Sequence, residues 1–174
     1  MGRIRFLLLC LLSVLFFVDA DLIIGQELKP LLLPRPQLDG GRPLMQVLKD
    51  RRSSREFSLE KVPDQILSNL LWAAFGINRP DSGRRTAPSA RNWQETDIYV
   101  ADYSKTGKGS DEERQLFCAA DAGFISQNVY LFCASEGLAT VVRGLVDRLA
   151  LAKIMKLRAD QKIILTQSVG YPKK

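Results

Sequence analysis

RTAPSARNWQ, residues Arg85–Gln94, fits neither a helix nor a strand. Pro88 stands in its middle, small residues flank the proline, and Asn92, Trp93 and Gln94 crowd its end. A helical apolar pattern precedes it, and an alternating DIYVAD (Asp97–Asp102) follows. Asn92 and Gln94 each carry one acceptor and two donors, which suits the edge of a heterocycle offering both kinds of group. Ordinary side-chain-to-backbone bonding within a loop is the other reading. The choice decides whether this stretch is a linker or one wall of a ligand site around which the fold is built.

Upstream, Pro63 suits the first turn of a helix. Ile66, Leu67, Leu70, Leu71 and Ala74 then recur at helical spacing, with Gly76 as the stop. A shorter amphipathic helix is predicted from Pro43 to Lys49, with Met45, Val47 and Leu48 apolar. Before it, residues 26–42, with the Pro43 that follows, hold four prolines and a Gly-Gly, which reads as an extended arm lying on a surface. Residues 78–92 are expected to be a polar loop, and DIYVAD a single strand.

Downstream, Ser110-Asp111-Glu112-Glu113 is a capping box. It opens a long helix ending near Gly137, with Phe117, Ala120, Phe124, Tyr130, Leu131 and Ala134 as its apolar face. Gly123 interrupts this helix at a cost of about 1 kcal/mol relative to alanine, so close approach of a ligand or another helix is expected there. Ala139–Val142 is β-like. Leu149–Leu157 is a helix with Leu149, Ile154 and Leu157 as expected core, and Lys162–Val169 is a last strand. The order of elements predicts an α+β sandwich, a mostly antiparallel central sheet flanked by helices.

The chain has 174 residues and a formal charge of +6. Residues 1–20 combine Arg3 and Arg5 with the apolar run Phe6–Val18 and a V-x-A pattern at Val18-Asp19-Ala20, which reads as a secretory signal peptide. An uncleaved membrane anchor is the alternative. Cys10 follows Leu-Leu-Leu, a poor setting for lipidation. The domain organisation is therefore 1–20 signal peptide, 21–42 arm and 43–174 domain, with export to the periplasm or exterior and no stable membrane insertion after cleavage. Removing Arg3, Arg5 and Asp19 leaves +5, which suits anionic ligands without implying nucleic acid. Basic residues lie in separate segments without interleaved aromatics, so no nucleic-acid partner is expected. The chain contains no histidine, so serine–histidine triads and histidine metal sites are excluded. Cys118 and Cys133 fall in one helix, about 22 Å apart along its axis, too far to pair. They read as buried core thiols.

Arg51-Arg52-Ser53-Ser54-Arg55 sets three guanidiniums and two hydroxyls just past a helix. Guanidinium forks take phosphate bidentately; a solvated basic turn is the plain alternative. Further on, the β-like run that ends in Arg143-Gly144 can offer backbone N–H groups to a flat ring.

Taken in order, RRSSREF (51–57), PSARNWQ (88–94), DAGFISQN (121–128), GLATVVRG (137–144) and SVGYP (168–172) resemble the nitroreductase family of FMN-dependent oxidoreductases, and within it the compact branch that includes azoline dehydrogenases. The resemblance runs from Pro43 to Lys174. It implies that FMN is the cofactor and that hydride passes through it between a reduced NAD(P)H-type donor and a small organic acceptor. Arg51, Arg52, Ser53 and Arg55 would hold the FMN phosphate, with Lys173 or Lys174 closing that site. Pro88, Ser89, Asn92 and Gln94 would lie against the flavin, Asn92 on its pyrimidine edge. Arg143 and Gly144 would present backbone groups near flavin N5 and O4. The resemblance also implies a homodimer with two FMN sites at its interface, built largely by the long helix.

The chain departs from the family between Gln94 and Asp121. Only residues 95–120 lie there, 26 in all, where the family has a longer interval with two strands. DIYVAD reads as the start of one strand joined to the end of another: either the chain is a minimal variant, or it has lost one or more central strands. A minimal enzyme and a shortened, poorly active flavin binder both fit this.

Overall fold

The computed structural model describes residues 29–173; the signal-peptide reading, the start of the arm and Lys174 lie outside them. Residues 33–174 form one compact unit, described below.

From Lys29 to Pro43 the arm has no regular element. Side chains tie it down: Gln65 donates to the Arg35 carbonyl (2.9 Å), Asn69 accepts from the Gln37 N–H (2.8 Å), and Ser135 accepts from the Arg42 N–H (2.9 Å). Helix α1 (Leu44–Asp50) follows, burying Val47 and leaving Leu44, Met45 and Leu48 exposed. Helix α2 (Asp64–Phe75) starts at Pro63 and stops at Gly76, both as expected. It buries Leu70, Ala74 and Phe75, with Ile66 and Leu67 packed beside them.

Residues 78–92 are not all loop. Strands β1 (Ile77–Arg79) and β2 (Arg84–Arg85) pair across a short 3-10 turn. The larger correction concerns DIYVAD. Thr96–Asp97 is strand β3 and Val100–Asp102 is strand β4, paired antiparallel with Asp97 opposite Val100. Ile98 and Tyr99 form the two-residue tip, with φ of +34° and +74°. Positive φ at both positions belongs to the tight hairpin turn that favours Asn-Gly. The expected single strand folds back on itself at these two residues.

Helix α3 (Asp111–Glu136) has the expected capping box. Ser110 Oγ accepts from Glu113 N–H (3.2 Å) and Glu113 Oε2 from Ser110 N–H (3.0 Å). Gly137 closes it in the left-handed region. The face it buries is not the one expected: Cys118, Asp121, Ala122, Ile125, Val129 and Cys133 point inward, against α2 and strand β5 (Ala139–Arg143). Phe117 and Tyr130 are half-buried, and Ala120 and Phe124 are exposed. Apolar groups lie on both sides of this helix, so periodicity alone could not choose between them. Nothing lies within 4 Å of a side chain placed at Gly123, so the expected close approach does not occur within the protomer. Both cysteines are buried and unpaired, as expected.

Helix α4 (Arg148–Ile154) buries none of its residues. Leu149 and Ile154, expected in the core, are exposed. The last strand divides into β6 (Gln161–Ile163), which pairs with β4, and β7 (Thr166–Gly170), which pairs with β5 over five residues. All the pairings are antiparallel. The result is an α+β fold, with the predicted sheet broken into three small ones. Its core joins Leu70, Ala74 and Phe75 of α2 to Ala122, Ile125, Val129 and Cys133 of α3, closed by Ala87, Tyr99 and Leu138.

Candidate functional site

The structure divides the sequence-predicted site residues into two groups, both built against α3. The first is a basic cradle. The segment after α1 runs alongside β5, with Ser54 N–H donating to the Thr140 carbonyl (2.8 Å). Tyr130, from α3, is its post: the hydroxyl bonds Ser53 Oγ (2.9 Å) and accepts from Val142 N–H (3.1 Å), while the Arg51 guanidinium lies 5.2 Å from the ring centroid. The chain end joins the same place. Phe57 bridges Pro172, Ser58 N–H donates to the Tyr171 carbonyl (2.8 Å), and Lys173 N–H reaches the Glu56 carbonyl (3.4 Å). Arg51, Arg52, Ser53, Arg55, Arg143, Gly144 and Lys173 thus come from three distant parts of the chain to one region.

Arg52, Arg55, Arg143 and Lys173 are exposed, and none forms an ion pair among the described residues. Exposed cations at the close of an ordered segment suit an anion better than a packed interior. A cavity of about 250 Å³ opens beside them, lined by Arg52, Ser54, Tyr130 and Thr140 among others. Gly144 has open space where a side chain would stand.

The second group is the loop Pro88–Gln94. Arg85 organises its base by donating to the Phe75 carbonyl (2.8 Å) and to Gln94 Oε1 (2.8 Å), with its guanidinium over the Phe75 ring. The Gln94 amide then donates to the Gly83 carbonyl (3.1 Å) and to Asn92 Oδ1 (3.2 Å), and Ser89 Oγ accepts from Gln94 N–H (2.9 Å). Trp93 meets Phe117 edge-on at 5.9 Å. Arg91, Asn92 and Gln94 all have φ near +50°. Left-handed non-glycine residues cost of order 1–3 kcal/mol each and concentrate at ligand-gripping sites.

Under this loop lie two carboxyls that sequence reasoning did not pair. Glu95 and Asp121 are almost completely buried. Asp121 accepts from Ala90 N–H (3.1 Å), and Ser89 Oγ donates to Glu95 Oε2 (3.2 Å). Burial first, and then Glu95, push the Asp121 carboxyl up to about 6. Asp121 is visible in the sequence as part of DAGFISQN. Glu95 offers one signal: an acid directly before a strand that enters the core. Tyr130 was read as one more apolar residue, and its hydroxyl gives no sequence signal.

The two groups do not meet within one protomer. Tyr130 and Asp121 are nine residues apart on α3, about 13 Å, and Phe117 lies further still.

The chain is thus an α+β fold with a basic cradle towards one end of its long helix and a strained, amide-rich loop towards the other. The nitroreductase family profile matches residues 48–108 and 100–171, and the chain belongs to that family. The two matches share residues 100–108, so the β4 region serves as both the end of one half and the start of the other. Among solved structures, the chain is similar to a protein of Ralstonia eutropha assigned to the nitroreductases, with 32% identity and a TM-score of 0.75 over 82% of this chain and 89% of that one. A nitroreductase family protein of Clostridium difficile shares the fold, with 19% identity and a TM-score of 0.61 over 76% and 86% of the two chains. So does the NADPH:FMN oxidoreductase of Vibrio harveyi, solved with NAD+, with 17% identity and a TM-score of 0.61 over 75% and 69%. None of the curated proteins matches the chain.

Proposed function

We propose that this chain is an exported FMN-dependent oxidoreductase, nearest the azoline-dehydrogenase branch, that works as a homodimer. One observation carries the reading: four exposed cations without ion pairs gather with Ser53 and the Tyr130 hydroxyl on a nitroreductase-family fold. This donor set fits a terminal phosphate. Arg51, Arg52, Ser53, Arg55 and Lys173 would bind it, and the backbone of Arg143 and Gly144 would face the ring, where no side chain stands in the way. When bound, FMN supplies the hydride chemistry that the protein itself lacks.

The chain's own residues bind, orient and exclude water. Arg51 is held over Tyr130, so part of its ordering cost is met before ligand arrives. Asn92 keeps its amide N–H₂ available, because only its oxygen is engaged by Gln94. The separation of cradle and loop along α3 favours a site completed by a second protomer, whose loop would cover this one's cradle. Leu116, Gly123 and Phe124 form the exposed side of α3 on which such a partner would sit. A reduced NAD(P)H-type donor and a small organic acceptor would use the site in turn.

The strained hairpin favours a second reading, a shortened member that binds flavin with little turnover. Purifying residues 21–174 and measuring flavin absorbance, Kd for FMN and NAD(P)H oxidation separates the outcomes. Yellow protein with turnover supports the enzyme, yellow protein without turnover supports the shortened binder, and colourless protein with no FMN affinity rejects both.

A further inference from the structure

Glu95 and Asp121 place two carboxyls in the core beneath a loop, with little to neutralise them. The groups acting on Asp121 are burial, Glu95, the Ala90 N–H and Ser89; no cation is among them. Of the surrounding cations, Arg158 pairs with Asp102 and Asp160 and Arg91 lies over the Trp93 and Phe117 rings, while Arg114 on α3 reaches only the exposed Asp111, at 3.8 Å, and buries its Nε without a hydrogen-bond partner. Cys118, one turn before Asp121, is pushed up to about 11 by burial and then by the two carboxyls, so it stays a neutral thiol. Tyr103, following β4, is likewise raised by burial, and stays neutral.

One atom decides how this arrangement persists. Glu95 Oε1 is fully buried and receives no hydrogen bond from any N–H or hydroxyl. Asp121 lies within hydrogen-bonding reach of Glu95. With both acids ionised, that contact sets two acceptors against each other in a low-dielectric interior. A single proton held between them turns it into an O–H···O bond and leaves one net charge. The remaining oxygens are those that take Ala90 N–H and Ser89 Oγ, two consecutive residues of the loop.

We propose that Glu95 and Asp121 form a carboxyl pair holding one proton, and that this pair positions the loop Pro88–Gln94. Loss of the shared proton puts two buried negative charges against each other, and their repulsion and need for water outweigh the bonds from Ser89 and Ala90, which by themselves favour the ionised form. The loop then loosens, so docking weakens as pH rises through about 6. The effect on flavin affinity rests on the function proposed above; the effect on the loop does not.

The experiment separates the two. In a Trp72→Phe background, Trp93 reports the loop, and its emission is followed from pH 5 to 8 with and without FMN, beside far-UV circular dichroism. The expected result is a red shift of Trp93 with rising pH and no loss of helix. Affinity for FMN should fall by about tenfold, the effect of one pKa unit between docked and loosened states. Asp121→Asn supplies a permanent N–H donor to Glu95 and still accepts from Ala90, so both changes should vanish and the loop should stay docked. Glu95→Gln does the same from the other side and serves if the first variant does not fold. Asp121→Ala should show the loosened emission at every pH. No transition in the parent, or an unchanged midpoint in the amide variants, overturns the pair. A transition that the amide variants abolish, in a protein that never binds FMN, upholds the pair and removes the flavin.

Discussion

The cradle end and the loop end of α3 are built differently. At the cradle, β5 and β7 pair over five residues in unbroken register, and Arg143 is the last residue of β5. At the loop end, five of the six non-glycine residues with positive φ among the described residues fall between Arg91 and Tyr99. Glu95 and Thr96 there each leave a buried oxygen without a partner. The cradle is regular, whereas the loop end carries strain and buried charge, so the strain is confined to one stretch and not spread through the fold.

The sharpest way to break this contrast is a pair of substitutions at each end. Tyr99 is buried and its hydroxyl donates to Gln167 Oε1. Tyr99→Ala should cost about 3–5 kcal/mol, as for other buried aromatics. Tyr99→Gly should cost less, by about 1–2 kcal/mol, because glycine carries no penalty for the left-handed region. At Val141 in β5 the order should reverse, with glycine worse than alanine by about 0.5–1 kcal/mol. Denaturant melts of the four variants decide it; the same order at both sites would mean the hairpin holds no strain.

Next in size is the cradle itself. Arg55→Ala should weaken FMN binding by about 1.5–3 kcal/mol, the range for charge-assisted bonds, and leave the melting temperature nearly unchanged. Arg51→Ala should match it and lose some packing on Tyr130. Fluorescence titration with FMN reads both, and full affinity in both variants would return these arginines to solvent.

Inserting Asn-Gly between Ile98 and Tyr99 should stabilise the protein by about 1–2 kcal/mol, by releasing both tip residues from the left-handed region. Loop lengthening itself costs little. A thermal melt no higher than the parent's would show that the tip is unstrained.

A pH series sharpens the contrast further. Asp121 is raised to about 6 from 3.8, so the folded chain binds more protons than the unfolded one between those values. Stability from this group therefore falls as pH rises through that window and levels off above it. Asp102 runs the other way. Ser104 first, and then Arg158, hold it low, so its contribution is lost only as pH falls below the ordinary carboxylate range. Asp121→Asn should flatten the first slope and leave the acid limb intact.

Much of the fold was legible. Pro63, Gly76, the Ser110–Glu113 box and Gly137 mark helix ends through local chemistry, and the structure puts the ends there. DIYVAD was not legible as a hairpin, since alternation continues through Ile98 and Tyr99 and nothing local announces a turn. The reversal shows only in the pairing of β3 with β4, a tertiary outcome that the alternation does not carry. The inward face of α3 was misread because Phe124 and Ile125 are equally apolar, and only the position of α2 separates them. The Arg51–Arg55 cluster, Arg143 and Lys173 were each named as candidates. What joins them is the Tyr130 hydroxyl, which ties Ser53 to β5, and the Lys173 N–H on the Glu56 carbonyl, tertiary contacts without a sequence signature.

The placement of cradle and loop near opposite stretches of one helix has a genetic consequence. In the proposed homodimer each site draws one half from each protomer. A chain with a ruined cradle and a chain with a ruined loop would each be inactive alone. Co-expressed, they would assemble mixed dimers in which one site takes both intact halves and the other takes both damaged ones. Two such alleles would complement each other within a single gene, restoring up to half of the activity of each mixed dimer.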